Sequence, residues 1–250
     1  MLRTRIIPIV LLSGYSVLKT IKFDVRRNLG NPITIARIYN TRNVDELILL
    51  DIDASKQKRG VDLFTIQDIA SECFMPLTVG GGIRKIEDIR NLLKRGADKI
   101  SINTYALENP CFITEAAGIF GSQCIVVSLD IKYENDRYFI YSSINNENTN
   151  LSPIDWCKKI EGLGAGELLI NFVDKDGTME GVDCDYIALI AKSVNIPIIA
   201  TGGVSNPDDT LLMAKAGASG IGVSSIFHFT NYTPLDCKIA MKAAGILVRT

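Results

Sequence analysis

The stretch "IASECFMPLTVGGGI" (residues 69–83) returns in altered form as "IAKSVNIPIIATGGV" (residues 190–204), and this repetition decides the fold. The two stretches are separated by an offset of 121 residues. Two further pairs share that offset: "DELILLDID" (45–53) with "GELLINFVD" (166–174), and "RGADKISINT" (95–104) with "AGASGIGVSS" (216–225). A repeat of about half the chain indicates two halves that contain the same elements in the same order.

Short runs rich in β-branched residues alternate with amphipathic stretches, which is typical of βα units that build a parallel sheet. Eight such runs occur: 5–11, 46–53, 76–80, 98–103, 124–130, 167–173, 196–201 and 219–224. Four βα units in each half predict an α/β fold with one (β/α)8 barrel domain over residues 1–250. The alternative, a doubly wound sheet, would leave the equal halves unexplained. The segment "KYENDRYFIYSSINNENTN" (132–150) indicates a β-hairpin excursion over the C-terminal face.

The composition is that of a globular protein with almost no net charge. The 250 residues are 47% hydrophobic, and 27 Lys and Arg residues stand against 28 Asp and Glu residues. This balance gives no basis for binding nucleic acid or an acidic membrane surface. The six cysteines are widely spaced without a CxxC pair, which indicates reduced thiols in a cytoplasmic protein. We expect neither a signal peptide nor a membrane span.

Two glycine-rich turns stand at repeat-related positions. "VGGGIR" (79–84) follows the third predicted strand and "TGGVSN" (201–206) follows the seventh. Each is followed by a βα unit with a small polar tip, Asn103-Thr104 in one half and Ser224-Ser225 in the other. Backbone N–H groups at such turns and at helix starts bind anions. Two of these cradles predict a ligand with two phosphate-like ends, although glycine could also serve only to make tight turns.

Carboxylates at the C-terminal strand ends are the candidates for acid–base chemistry, because a barrel carries its active site there. Asp130 is the foremost candidate, since it lies between the two anion cradles. Asp51, Asp53, Asp174 and Asp176 also follow strands, but solvated or N-cap roles are alternatives for such residues. Shielding by the barrel wall would raise the pKa of an acid toward a useful range.

Two cationic or titratable residues lie near the same mouth. Lys19 follows the first predicted strand in a glycine-containing loop, where it could reach a ligand or be solvated. His228, the single histidine, is expected to order a short phosphate-facing helix rather than to act as the general base. Neither a Ser-His-Asp or Cys-His set nor a metal-ligand cluster is evident, so the sequence predicts no metal and no cofactor.

Charged residues begin four of the predicted strands at the opposite end of the barrel: Arg5, Glu46, Lys99 and Glu167. Each alone would be an ordinary charge at a strand start. Together, two cations and two anions would form a ring that plugs or gates the bottom of the barrel. Such a ring is an expensive device to build for stability alone.

Seven segments together resemble the cyclase subunit of imidazole glycerol phosphate synthase: "MLRTRIIP" (1–8), "VDELILLDIDAS" (44–55), "MPLTVGGGIR" (75–84), "RGADKISINT" (95–104), "FGSQCIVVSLDIK" (120–132), "LGAGELLINFVDKDGT" (163–178) and "IPIIATGGV" (196–204). The resemblance implies a (β/α)8 barrel with two phosphate sites and a glutaminase docked at its N-terminal face. Ammonia from the glutaminase would cross the barrel and react with a bisphosphorylated ribulosyl nucleotide precursor.

The resemblance also implies roles for individual residues. One phosphate site would contain Gly82, Asn103 and Thr104, and the other would contain Gly177, Gly203, Ser224 and Ser225. Asp130, Asp176 and Lys19 would be catalytic. The ammonia gate would be Arg5, Glu46, Lys99 and Glu167, and Asp98 would lie at the glutaminase interface.

The chain departs from the family in its first strand. Where the family reads Cys-Leu-Asp-Val-Lys-Asp-Gly, residues 9–15 read "IVLLSGY", so Leu11 replaces a second catalytic aspartate. Loss of a general acid or base typically costs a factor of about 10² to 10⁴ in rate. In addition, Asn171 stands where threonine is usual, and residues 143–153 lack the usual glycine-rich run.

Leu11-Leu12, "VLKTIKF" (17–23) and "IASECFMPL" (69–77) resemble a divergent branch of the family. That branch is associated with surface polysaccharide or nonulosonic acid pathways, in which glutamine-derived ammonia converts an acetamido group into an acetamidino group. The resemblance implies a separate ATP-dependent ligase that activates the amide. The sequence therefore favours an ammonia-delivering subunit of this branch. The alternatives are an authentic cyclase of histidine biosynthesis that uses Asp130 alone, and a noncatalytic activator of the glutaminase.

Overall fold

A computed structural model describes residues 3–249, so Met1 and Leu2 of the segment "MLRTRIIP" lie outside the described residues. In chain order the strands are β1 (Arg5–Ser13), β2 (Ser16–Ile21), β3 (Val25–Gly30), β4 (Leu47–Asp51), β5 (Leu77–Gly80), β6 (Lys99–Ile102), β7 (Ile125–Glu134), β8 (Arg137–Ser142), β9 (Glu147–Asn148), β10 (Glu167–Phe172), β11 (Ile198–Thr201) and β12 (Gly220–Val223). Eight parallel strands follow the order β10-β11-β12-β1-β4-β5-β6-β7, and β7 pairs with β10 to close the ring. The predicted (β/α)8 barrel is confirmed.

The helices pack around the outside of this ring. Within the described part of the chain they are α1 (Pro32–Thr41), α2 (Leu63–Ala70), α3 (Ile86–Lys94), α4 (Thr104–Glu108), α5 (Cys111–Phe120), α6 (Pro153–Gly162), α7 (Cys184–Ser193), α8 (Pro207–Lys215), α9 (Ser225–Phe229) and α10 (Pro234–Ala243). Side-chain caps start several of them, for example Asn206, whose carboxamide accepts from two backbone N–H groups of α8. None of the helices in residues 3–249 is both long and apolar enough to cross a bilayer.

The two helices predicted most directly from their apolar spacing end at glycine, as expected. Gly96 follows α3 with φ 101°, and Gly217 follows α8 with φ 107°. Only glycine adopts such left-handed backbone conformations without strain. These stops turn the chain back toward the bottom of the next strand.

The hydrophobic core has two parts because successive residues of a strand face opposite sides of the sheet. The larger part lies between the sheet and the helices. The smaller part fills the barrel axis and consists of Ile7, Ile9, Ile48, Val126, Leu169 and Ile199. The axis is therefore lined with aliphatic side chains and contains no charge along this section among the residues described.

Two hairpins rise above the C-terminal mouth, and only one of them was predicted. The excursion in residues 132–150 is confirmed, since β7 continues upward and pairs antiparallel with β8. The expectation that Lys19 lies in a loop is wrong: it belongs to β2, which pairs with β1 and with β3. The β2–β3 hairpin was missed because β3 is almost wholly exposed and shows no apolar alternation.

We predict that Ile48→Ala lowers the free energy of unfolding by about 2–5 kcal/mol, because it opens a cavity among fully buried side chains of the axis. Urea denaturation measures this change. Ile239→Ala on α10 is the matched control, because Ile239 is 56% exposed and alanine favours a helix. Equal losses in the two variants would contradict the packed axis described above.

Candidate functional site

A cavity of about 420 Å³ opens at the C-terminal ends of the barrel strands. Its floor is aliphatic, with Leu11 and Leu50 lying above the inner core. Its mouth is flanked by both hairpins, which meet through an edge-to-face contact of Phe23 with Tyr141 at 6.4 Å between ring centroids. The cavity is therefore apolar below, polar along its walls and partly roofed by two aromatic rings.

At the opposite end of the barrel, the four predicted charges form a closed ring. Arg5 hydrogen-bonds Glu46 at 2.7 Å and also pairs with Glu167. Lys99 Nζ lies 3.0 Å from Glu46 Oε2 and 2.9 Å from Glu167 Oε2. Each cation thus contacts both anions, and Thr78 Oγ1 donates a further hydrogen bond to Glu46 at 2.7 Å. The mutual neutralisation offsets much of the cost of burying the two glutamates.

Asp130 is buried in the cavity wall and held by two amides. Asn103 Nδ2 donates to Oδ2 at 2.8 Å, and Asn171 Nδ2 donates to Oδ1 at 3.4 Å. Burial raises the pKa of Asp130 to about 6, although both amide hydrogen bonds oppose this shift and nearby Asp176 adds to it. The group therefore exchanges a proton near neutral pH, as a general acid or base requires.

Asp176 and Lys19 also reach the cavity, but they are bonded to each other. Lys19 Nζ lies 2.5 Å from Asp176 Oδ1, and Thr20 Oγ1 donates to Asp176 Oδ2 at 2.6 Å. The alternative of a solvated Lys19 is wrong, because its residue exposure is 3%. In this arrangement the pair fastens the β2–β3 hairpin to the loop after β10. Thr20 was missed by sequence reasoning, since its partner lies 156 residues away.

The remaining strand-end carboxylates have structural partners. Asp51 forms an ion pair with Arg59 at 2.6 Å. Asp53 accepts two hydrogen bonds from Arg26, at 2.8 and 3.1 Å, and one from Ser13 at 2.5 Å. The hydrogen bonds from Arg26 hold the pKa of Asp53 below its usual value. The contact with Arg26 fastens β3, the outer strand of the β2–β3 hairpin, to the loop after β4.

Asp174 follows the same pattern and accepts the backbone N–H of Tyr133 at 2.7 Å. Asp98, predicted at a partner interface, is exposed beside Lys99 and accepts the backbone N–H of Leu77 at 2.8 Å. It lies at the same end of the barrel as the ring of charges. Its role toward a partner stays a prediction.

The first predicted cradle is assembled at the cavity. Gly81 and Gly82 have φ of 127° and 65°, and Gly82 N donates to Ser55 Oγ at 3.3 Å. A Cβ on Gly82 would overlap the carbonyl oxygen of Arg59, so no other residue fits this turn. Gly82, Asn103 and Thr104 all line the cavity.

The second predicted cradle is only partly open to the cavity. Ser224 lines it, whereas Gly177, Gly203 and Ser225 do not. A Cβ on Gly177 would overlap the carbonyl oxygen of Thr20. Glycine at this position therefore allows the β2–β3 hairpin to lie close to the loop after β10. The phosphate-binding roles at both cradles stay predictions.

His228 lies on α9, as expected, and its Nε2 lies 3.2 Å from the hydroxyl of Tyr39. Burial, followed by the charge of Lys19, lowers the pKa of His228 to about 4. The imidazole is therefore neutral at physiological pH and packs in place. No group of three His, Cys, Asp or Glu side chains in residues 3–249 is arranged to hold a metal ion.

Comparison with known proteins shows which family the chain is similar to. The profile of a family described as histidine biosynthesis protein matches residues 5–233. A Campylobacter jejuni protein that carries the provisional name imidazole glycerol phosphate synthase subunit hisF2 is 46% identical over 249 residues. The alignment covers 100% of this chain and 99% of that relative. The profile match includes the whole barrel from β1 to β12.

We predict that Asp130→Asn raises the free energy of unfolding above that of the wild type, and that this gain is larger at pH 7 than at pH 4. The folded state binds more protons than the unfolded state between pH 3.8 and about 6, so the wild type loses stability as pH rises through that window. The gain is at most about 3 kcal/mol. Urea denaturation at both pH values measures it, with the exposed Asp208→Asn as control. A gain that does not depend on pH would refute the raised pKa.

We also predict that Gly82→Ala weakens binding of inorganic phosphate at least about tenfold, which corresponds to 1.4 kcal/mol. The added methyl group would collide with the carbonyl of Arg59 and displace the turn. Isothermal titration calorimetry measures the affinity. Gly118→Ala on α5 is the control, since a Cβ there meets open space. Unchanged phosphate affinity in Gly82→Ala would show that this turn is not an anion cradle.

Proposed function

This chain belongs to the histidine biosynthesis protein family as a cyclase-like subunit, and from that premise we propose that it delivers ammonia to an activated amide of a sugar. A glutaminase docked at the N-terminal face, near Asp98, would release the ammonia from glutamine. An ATP-dependent ligase would activate the amide. The product would be an acetamidino group of a surface polysaccharide or nonulosonic acid sugar.

The observation that carries this proposal is the succession of three layers along the barrel axis. The ring of four charges stands at one end, the aliphatic section follows it, and the cavity with Asp130 opens at the other end. A section without charge admits a small neutral molecule more readily than an ion. Ammonia is such a molecule, and a ring of neutralised charges at the entrance suits its passage.

The replacement of aspartate by Leu11 argues against ring closure as the main reaction. In the barrel order β1 stands four strands from β7, so Leu11 faces Asp130 across the mouth. Two opposed carboxylates could pass protons to and from a ring that closes between them, whereas an alkyl side chain cannot. Ammonia addition to an amide carbon whose oxygen the ligase has phosphorylated with ATP needs less acid–base catalysis from the protein. The amide oxygen then leaves as phosphate. One proton acceptor, Asp130, is enough for the incoming nitrogen.

The alternative is an authentic cyclase subunit in histidine biosynthesis. The name of the Campylobacter relative and the retention of Asp130, Asp176 and Lys19 favour it. In that case ring closure would proceed with Asp130 alone, at a rate lowered by about 10² to 10⁴. Purified chain with ammonium and the ribulosyl precursor would then show slow but measurable turnover, and Asp130→Asn would abolish the reaction.

We predict that deletion of the gene in its own organism removes the acetamidino groups while growth without histidine continues. Mass spectrometry detects the change, because the unmodified sugar carries oxygen where the product carries NH. A requirement for histidine with unchanged sugars would instead establish the alternative.

The same strain tests the route of the ammonia. Lys99→Glu should fail to restore the modification, because it replaces a cation of the ring with a third anion. Lys158→Glu on the exposed face of α6, away from the N-terminal face, should restore it fully. Full restoration by Lys99→Glu would exclude passage through the ring.

A further inference from the structure

The floor of the cavity is a small apolar surface that has no role in the proton transfer assigned to Asp130. Leu11 and Leu50 are neighbours in the register of β1 and β4, and both are partly exposed to the cavity. Behind them the inner core is closed, with Ile9 6% and Leu169 1% exposed. An apolar group of a ligand that covers aliphatic side chains in a cavity contributes favourable binding free energy, because both apolar surfaces leave water.

This apolar surface lies across the barrel axis from the polar surface. β1 stands four strands from β7 in the closed order, and β4 stands four strands from β10. Leu11 is therefore opposite Asp130, and Leu50 is opposite Asn171. The mouth of the axis has an aliphatic half and a half made of a carboxylate and amides.

The upper end of the axis lies between these two halves, and ammonia that crosses the barrel would emerge there. The carbon that receives it must consequently lie at this point, with one substituent toward the leucines and its nitrogen or oxygen substituents toward Asp130 and the amides. We propose that Leu11 and Leu50 form a subsite for a short alkyl substituent on the electrophilic carbon. Leu11 is then a specificity-determining residue for the acyl amide that the proposed function takes as substrate. This inference rests on the proposed function.

The subsite is shallow because the inner core directly behind it is closed, with Ile9 6% and Leu169 1% exposed. Leu50 Cδ2 occupies the space above Gly80, where a Cβ would lie only 2.8 Å from it. Leu11 is paired with Leu18 of β2 and Leu50 of β4 in the strand register. A methyl group fits above such a closed core, whereas a longer acyl chain would have to displace side chains of the floor. The arrangement therefore selects by the size of the alkyl group as well as by its apolar character.

The test compares three probes that differ only in the acyl group: the N-formyl, N-acetyl and N-butanoyl derivatives of glucosamine 1-phosphate. Binding to the full chain is measured by saturation-transfer and titration NMR. We expect the N-acetyl probe to bind about tenfold more tightly than the N-formyl probe, which is the usual effect of one added carbon in an apolar pocket. The N-butanoyl probe should lose this advantage. Magnetisation should pass from the acetyl methyl group to the methyl groups of Leu11.

Variants test whether the leucines of the cavity floor cause the preference for the N-acetyl probe. Leu11→Ala and Leu50→Ala should each reduce the ratio of N-acetyl to N-formyl affinity to about two or less, whereas Leu11→Met should keep most of it because it conserves volume and apolar character. Leu212→Ala, at a residue 48% exposed on α8, should leave the ratio unchanged. Equal affinity of the wild type for the N-formyl and N-acetyl probes would overturn the subsite, and so would failure of both to bind at millimolar concentration. Either failure would leave ammonia delivery intact, because that depends on the Lys99→Glu and deletion experiments.

Discussion

The pairing of β7 with β10 is the constraint on which the rest of the structure depends. Six consecutive register pairs, from Glu167 with Val126 to Phe172 with Ile131, turn an open parallel sheet into a closed ring. Closure gives every strand an inner face and fixes which side chains look at one another. It places Asn171 beside Asp130 in the register and sets Leu11 on the far side of the axis. The chemistry of the cavity is therefore a consequence of the barrel geometry rather than of any local motif.

Charge is buried inside this ring in two different ways. At the bottom, two cations and two anions neutralise one another, so the group as a whole adds little net charge to the interior. At the top, Asp130 has only neutral amide donors, and its burial is not offset by a cation. The first arrangement is a set of mutually paired charges, whereas in the second, burial raises the pKa of Asp130 to about 6. The aliphatic section between them keeps the two environments apart.

The sequence predicted the barrel because its halves repeat and its eight strand runs are apolar. It could not predict the β2–β3 hairpin, since the segment "VRRNLG" is held by backbone pairing at the surface and carries no burial pattern. The same limit applies to the partners of Lys19 and Asp53, because a charged residue does not specify which distant residue it meets. Asp130 was found from its place at a strand end, but its two amide partners depend on strand register, which a single sequence does not reveal.

The β2–β3 hairpin also has a consequence for how the molecule assembles. Arg26 meets Asp53 at a sequence separation of 27 residues, whereas Lys19 meets Asp176 at a separation of 157. Contacts so distant along the chain form late, because closing a long loop costs conformational entropy before any contact repays it. The hairpin can therefore attach early to its own half, but its last attachment waits until the second half has folded. The cavity roof is therefore complete only when both halves of the repeat have joined. An incompletely folded chain consequently has no enclosed site.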